Sequence, residues 1–77
     1  MTRETLDARR LLCPMPVIRV QERVSGLAPG TLLEAICSDP GALNDIPAWC
    51  RMRGHEVCNI DEQENEITIT IKIGNPG

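Results

Sequence analysis

The sequence predicts an α/β (α+β) two-layer sandwich in βαβαββ order, with a four-stranded mixed sheet and two helices on one face. Three observations carry that prediction. Ile67, Ile69, Ile71 and Ile73 alternate with Thr68, Thr70 and Lys72, the period-two pattern of a strand with one buried and one solvated face. Val17, Val20, Val24 and Leu27 recur at three- and four-residue spacing, which is one face of an amphipathic helix. Thr31 to Ser38 is mostly apolar, as a strand shielded from water would be. Covering one sheet face with both helices is the natural way to bury these surfaces.

Taken in order, Leu6 and Ala8 alternate with Asp7 and Arg9 and suggest a short first strand over 5–9. The first helix is placed over 14–27. Pro14 and Pro16 fit its first turn as N1 and N3, because proline has no N–H to lose there. Cys13 then falls at or beside the N-cap. Ser25-Gly26 is a stop signal and Pro29-Gly30 a turn. The second strand is placed over 31–38, ending at the turn Ser38-Asp39-Pro40-Gly41. Pro47 argues against an uninterrupted helix over 40–53. A loose turn over 40–44, Asp45 as N-cap and a helix over 46–53 resolve this, with Gly54 as the stop. A third strand at 55–60, a polar turn at 61–65 and the isoleucine strand complete the chain.

At 77 residues the chain is read as one domain, 1–77. A chain this short buries roughly 60% of its unfolded surface, so a deep enclosed active site is not expected. The four cysteines, at 13, 37, 50 and 58, include no C-x-x-C pair, and His55 is the lone histidine. There is accordingly no framework for a zinc site, and no metal or organic cofactor is expected. The polar start Met1-Thr2-Arg3-Glu4 gives no secretory signal, and no apolar run approaches the roughly 18 residues of a membrane span. A cytoplasmic protein with reduced thiols is the simplest reading. The net charge of −3 argues against direct nucleic-acid binding, and Trp49 as the sole aromatic offers no stacking platform.

The chemistry centres on Cys13. A helix start presents free N–H groups and the positive end of the macrodipole, both of which favour a thiolate. The effect is worth up to about 2 kcal/mol, or roughly 1.5 pKa units. The thiolate then becomes a major species at neutral pH, although each proline removes one donor. The alternative is a cysteine that packs as a small hydrophobe. Arg9, Arg10, Arg19 and Arg23 cluster around it in sequence and are candidates for docking an acidic partner; the alternative is a solvated surface. Cys37 reads as core, Cys58 as structural or exposed, and Cys50 beside Trp49 as packing. Asp7 reads as loop-ordering, and His55 as structural or solvated.

The run Leu6-Asp7-Ala8-Arg9-Arg10-Leu11-Leu12-Cys13-Pro14-Met15-Pro16 resembles the Asp-x-Arg-Gly-Leu-x-Cys-Pro-x-Pro signature of the TusA/SirA sulfur-carrier family. The resemblance continues through Leu27-Ala28-Pro29-Gly30, Ser38-Asp39-Pro40 and Gly54-His55-Glu56-Val57, covering about residues 5–73. Asp45-Ile46-Pro47-Ala48-Trp49-Cys50 looks like the branch that serves tRNA thiolation. The resemblance implies a two-layer α/β sandwich in which Cys13 accepts sulfane sulfur as a persulfide. It further implies a cysteine desulfurase or upstream sulfurtransferase as donor and a downstream sulfur-relay protein as acceptor. The pathway implied is 2-thiolation of the tRNA wobble uridine or sulfur-oxidation trafficking. A regulatory or partner-binding module without sulfur transfer is the competing class. Arg10 departs from the pattern, standing where the family usually has Gly; if that position takes positive φ, Arg10 carries strain.

Overall fold

The computed structural model describes residues 3–74. Its elements are β1 (Arg3–Ala8), α1 (Met15–Val24), β2 (Leu32–Cys37), α2 (Ala42–Arg53), β3 (Glu56–Gln63) and β4 (Glu66–Lys72), in the predicted βαβαββ order. The sheet order is β1-β2-β4-β3. β1 and β2 are parallel, from Arg3 opposite Leu32 to Ala8 opposite Cys37. β4 runs antiparallel to both β2 and β3, so the sheet is mixed.

Register explains the core. Leu33 faces Ile71, Ala35 faces Ile69 and Cys37 faces Ile67, so one side of the central pair is continuous aliphatic surface. Val20 from α1 and Ala42, Ile46, Trp49 and Cys50 from α2 close over it. His55 is buried at the far end of this layer, with its ring 5.1 Å from that of Trp49. Its Nδ1 accepts the Gly74 N–H at 2.9 Å, and burial together with the nearby Arg53 lowers its pKa. It therefore pins the end of β4 rather than meeting solvent.

Several element bounds differ from the sequence reading. β1 begins at Arg3 and stops at Ala8 instead of spanning 5–9. α1 ends at Val24, with Ser25 as its C-cap, so Leu27 packs on the core from beyond the helix. At the other end Pro14 is the N-cap (φ −93°, ψ 13°) and Pro16 the second helical residue. Cys13 thus stands one position outside the N-cap, joined to Pro14 by a cis peptide. α2 starts at Ala42 with Gly41 as N-cap, not at 46 with Asp45 as cap, and Pro47 sits inside it. A mid-helix proline deprives the carbonyl four residues back, here Leu43, of its donor. Burying both Ala42 and Ile46, one turn apart, offsets that loss. β3 extends to Gln63, which shrinks the turn to Glu64-Asn65, with Asn65 at φ 61°. A register shift between Val57 and Asn59 leaves Cys58 as the extra residue of a bulge, exposed to solvent.

Candidate functional site

Parallel pairing of β1 and β2 brings their carboxyl ends together. The loop after β1 carries Arg9 to Pro14, and the loop after β2 carries Ser38 to Gly41. Two cross-loop hydrogen bonds join them. The Arg10 N–H donates to Ser38 Oγ at 2.8 Å, and the Cys13 N–H donates to Asp39 Oδ2 at 2.7 Å. The other oxygen of Asp39 accepts the Gly41 N–H at 3.0 Å. These two backbone donors hold the Asp39 carboxyl below its usual range.

The Cys13 sulfur lies against Gly41. A Cβ added there would stand 2.7 Å from Sγ, well inside contact distance. Glycine is needed at position 41 for this approach, since its φ of −58° would suit any residue. Substituting Gly41→Ala is expected to leave the helix intact and to force Sγ into another rotamer, away from the carboxylates described next. Alkylation of Cys13 by iodoacetamide at neutral pH should then quicken roughly tenfold for each unit by which the thiol's pKa falls. An unchanged rate would show that Gly41 does not set the sulfur's position.

The acidity of Cys13 corrects the sequence reading. Partial burial, together with the Asp45 and Asp39 carboxylates that accept its S–H, pushes the thiol up to about 12. The helix start supplies little to oppose them. Pro14 and Pro16 have no N–H, the Met15 N–H bonds to the Leu12 carbonyl, and the Ile18 N–H bonds to the Pro14 carbonyl. Asp39 and Asp45, at the head of α2, meet the positive helix ends in place of a thiolate. Cys13 is a protonated thiol at rest, half-buried and reachable from solvent. Cys37 and Cys50 are buried, and burial raises each to about 11.

The four arginines do not form one free surface. Arg9 binds Asp7 through paired contacts of 2.9 and 3.0 Å and approaches Glu66 at 3.6 Å. Those bonds hold the Asp7 carboxyl near 2. Arg19 pairs with Glu22 at 3.0 Å, and Arg23 is half-buried and tied to Glu4 of β1 at 2.8 Å. Arg10 alone of the four has no ion pair among the described residues. Its backbone is left-handed, φ 69°, which a side chain with a Cβ adopts only at a cost. Beside the sulfur Leu12 is 76% exposed, and Ile18 on α1 is also open to solvent. The rim of the thiol is therefore apolar with one unpaired cation.

Asp39, Gly41 and Asp45 are the site residues that sequence reasoning missed. The signal was a polar turn directly after a strand parallel to the one that leads to Cys13.

Comparison with known proteins bears on this arrangement. The family profile described as sulfurtransferase TusA matches residues 4–73. The sulfur carrier protein TusA of Pseudomonas aeruginosa is 46% identical over 59 residues, covering 77% of this chain and 72% of its own length. That of Pseudomonas fluorescens is 43% identical over 60 residues, covering 78% and 70%. YrkI of Bacillus subtilis is 34% identical over 71 residues, covering 92% and 95%.

Proposed function

Because the chain belongs to the TusA sulfurtransferase family, we propose that it is a single-domain sulfur carrier that holds sulfane sulfur as a persulfide on Cys13. One observation carries this reading. The matched region places its Cys-Pro-x-Pro run in a reachable loop, with Sγ seated between two strand ends rather than in the core. The donor is a cysteine desulfurase or upstream sulfurtransferase, and the acceptor a thiol of a downstream relay protein. Delivery leads to wobble-uridine 2-thiolation of tRNA or to sulfur-oxidation trafficking. Asp45-Ile46-Pro47-Ala48-Trp49-Cys50, part of α2, supports the tRNA branch. Deleting the gene should then remove 2-thiouridine from tRNA digests, and its persistence would favour the sulfur-oxidation branch.

The reaction conserves atoms and redox level. The sulfur of Cys13 attacks the outer sulfur of the donor's persulfide, a new S–S bond forms, and the donor's own S–S bond breaks. The donor's cysteine departs with that electron pair and gains a proton. Delivery repeats the exchange with Cys13 as the departing sulfur. The carrier works in the cytoplasm, needs no cofactor, and contacts partner proteins rather than nucleic acid. Among the described residues no helix is long and apolar enough to cross a membrane.

Docking falls to the rim of Cys13, where Leu12 and Ile18 supply apolar contact and Arg10 an unpaired charge. Reversing that charge, Arg10→Glu, should slow sulfur uptake from a desulfurase about tenfold at low ionic strength. The gap should narrow as salt is added, as for a rim charge that steers association. Equal uptake rates for the two proteins at low salt would remove Arg10 from the docking surface.

A further inference from the structure

Resting on the sulfur-carrier reading, we propose that Asp45 is the proton carrier of the reaction: its carboxylate takes the S–H proton of Cys13 as sulfur is accepted and returns a proton to that sulfur as it is delivered. The first ground is placement. Asp45 lies in the first turn of α2, and its N–H bonds to the carbonyl of Gly41, the residue against which Sγ rests. The thiol S–H can donate to it directly.

The second ground separates the two carboxylates. Asp39 already accepts backbone N–H groups from Cys13 and Gly41, one on each oxygen. Those donors stabilise its charge, so it is a weak proton acceptor, and its task is to hold the two loops together. Asp45 is exposed, and its carboxylate has no hydrogen bond from any other side chain or backbone group among the described residues. It can take a proton from sulfur and exchange it with water.

The third ground is need. A thiol held to about 12 is ionised in roughly one molecule in 10⁵ at neutral pH, so it seldom attacks as a free thiolate. The same property makes its thiolate a poor leaving group when sulfur is delivered. Both half-reactions therefore require the proton to move with the sulfur exchange. In uptake, the Cys13 proton passes to Asp45 as Sγ bonds to the donor's outer sulfur, and the donor's inner sulfur collects a proton from Asp45 or water. In delivery, the acceptor's thiolate takes the outer sulfur, and Sγ leaves with the S–S electron pair and a proton from Asp45.

The test sets two reactions of one thiol against each other in Asp45→Asn. Removing the negative charge frees the thiolate, so alkylation by iodoacetamide at neutral pH should quicken severalfold. Removing the proton acceptor should slow loading from glutathione persulfide by roughly ten- to a hundredfold. Asp45→Glu, which keeps a carboxylate, should load within about threefold of the unaltered protein. Loading as fast as, or faster than, the unaltered protein would reduce Asp45 to an electrostatic brake and overturn the proposal. Slowing of alkylation and loading together would mean a displaced thiol and would overturn it as well. If the unaltered protein accepts no sulfur from glutathione persulfide or from a desulfurase, the sulfur-carrier reading itself fails, and the role of Asp45 with it.

Discussion

Cys13→Ser should abolish sulfur acceptance while the protein stays folded. The substitution exchanges one atom in a half-buried loop, and a serine hydroxyl can donate to Asp39 and Asp45 as the thiol does. The backbone bond from residue 13 to Asp39 is untouched, so stability should change by no more than about 1 kcal/mol. An alcohol oxygen cannot form a persulfide, and the loss should therefore be complete. Radiolabelled cysteine supplied with a desulfurase measures it, with thermal unfolding as the control. Undiminished label on the serine variant would move the site to another sulfur, of which Cys58 is the exposed candidate.

The largest effect on stability is expected for Ile69→Ala. Ile69 is fully buried on β4, the strand that lies between β2 and β3, and sits directly opposite Ala35 on β2. Ala35 is too small to fill the space that the lost side chain would leave. Emptying such a position costs about 2–5 kcal/mol. A domain of this size has a total stability near the lower end of about 5–15 kcal/mol. Urea titration should show a large fall in the midpoint, with a substantial unfolded fraction at body temperature. Thr68→Ala, one residue away on the opposite face, should cost less than about 1 kcal/mol. Similar midpoints for the two variants would contradict the placement of the core on the Ile67, Ile69 and Ile71 side.

The fold was legible wherever a periodic pattern spanned a whole element. The β4 isoleucines and the α1 valines each mark one face of a regular structure, and their burial follows from spacing alone. The beginning of α2 was not legible, because Pro47 reads locally as a breaker. The burial of Ala42 and Ile46 that outweighs it depends on the sheet beneath. The position of the reactive sulfur was legible in Cys13-Pro14-Met15-Pro16, but its acidity was not. A helix start next to a cysteine predicts a thiolate, and the prolines there warn only of missing donors. The decisive groups, Asp39 and Asp45, arrive through the parallel pairing of β1 and β2, a contact between residues 26 apart in the case of Asp39. The arginines failed for the same reason. Arg23 looks free along the sequence, yet the crossover lays α1 beside β1, where Glu4 awaits it.

Arg10 is a case in which a departure from pattern had a definite structural meaning. A position suited to glycine does take positive φ in this chain, at 69°, and the strain falls on a residue beside the reactive loop. The cation is held outward next to Leu12, which gives this carrier a rim that a glycine at the same place would lack.

Peptide mapping by mass spectrometry, after the unaltered protein is incubated with a cysteine desulfurase and cysteine, tests the central claim most directly. The account predicts one added sulfur atom on the peptide containing Cys13, removable by a thiol reductant, and none on the peptides containing Cys37, Cys50 or Cys58. Sulfur on the Cys58 peptide instead, or no added sulfur on any peptide, would contradict it.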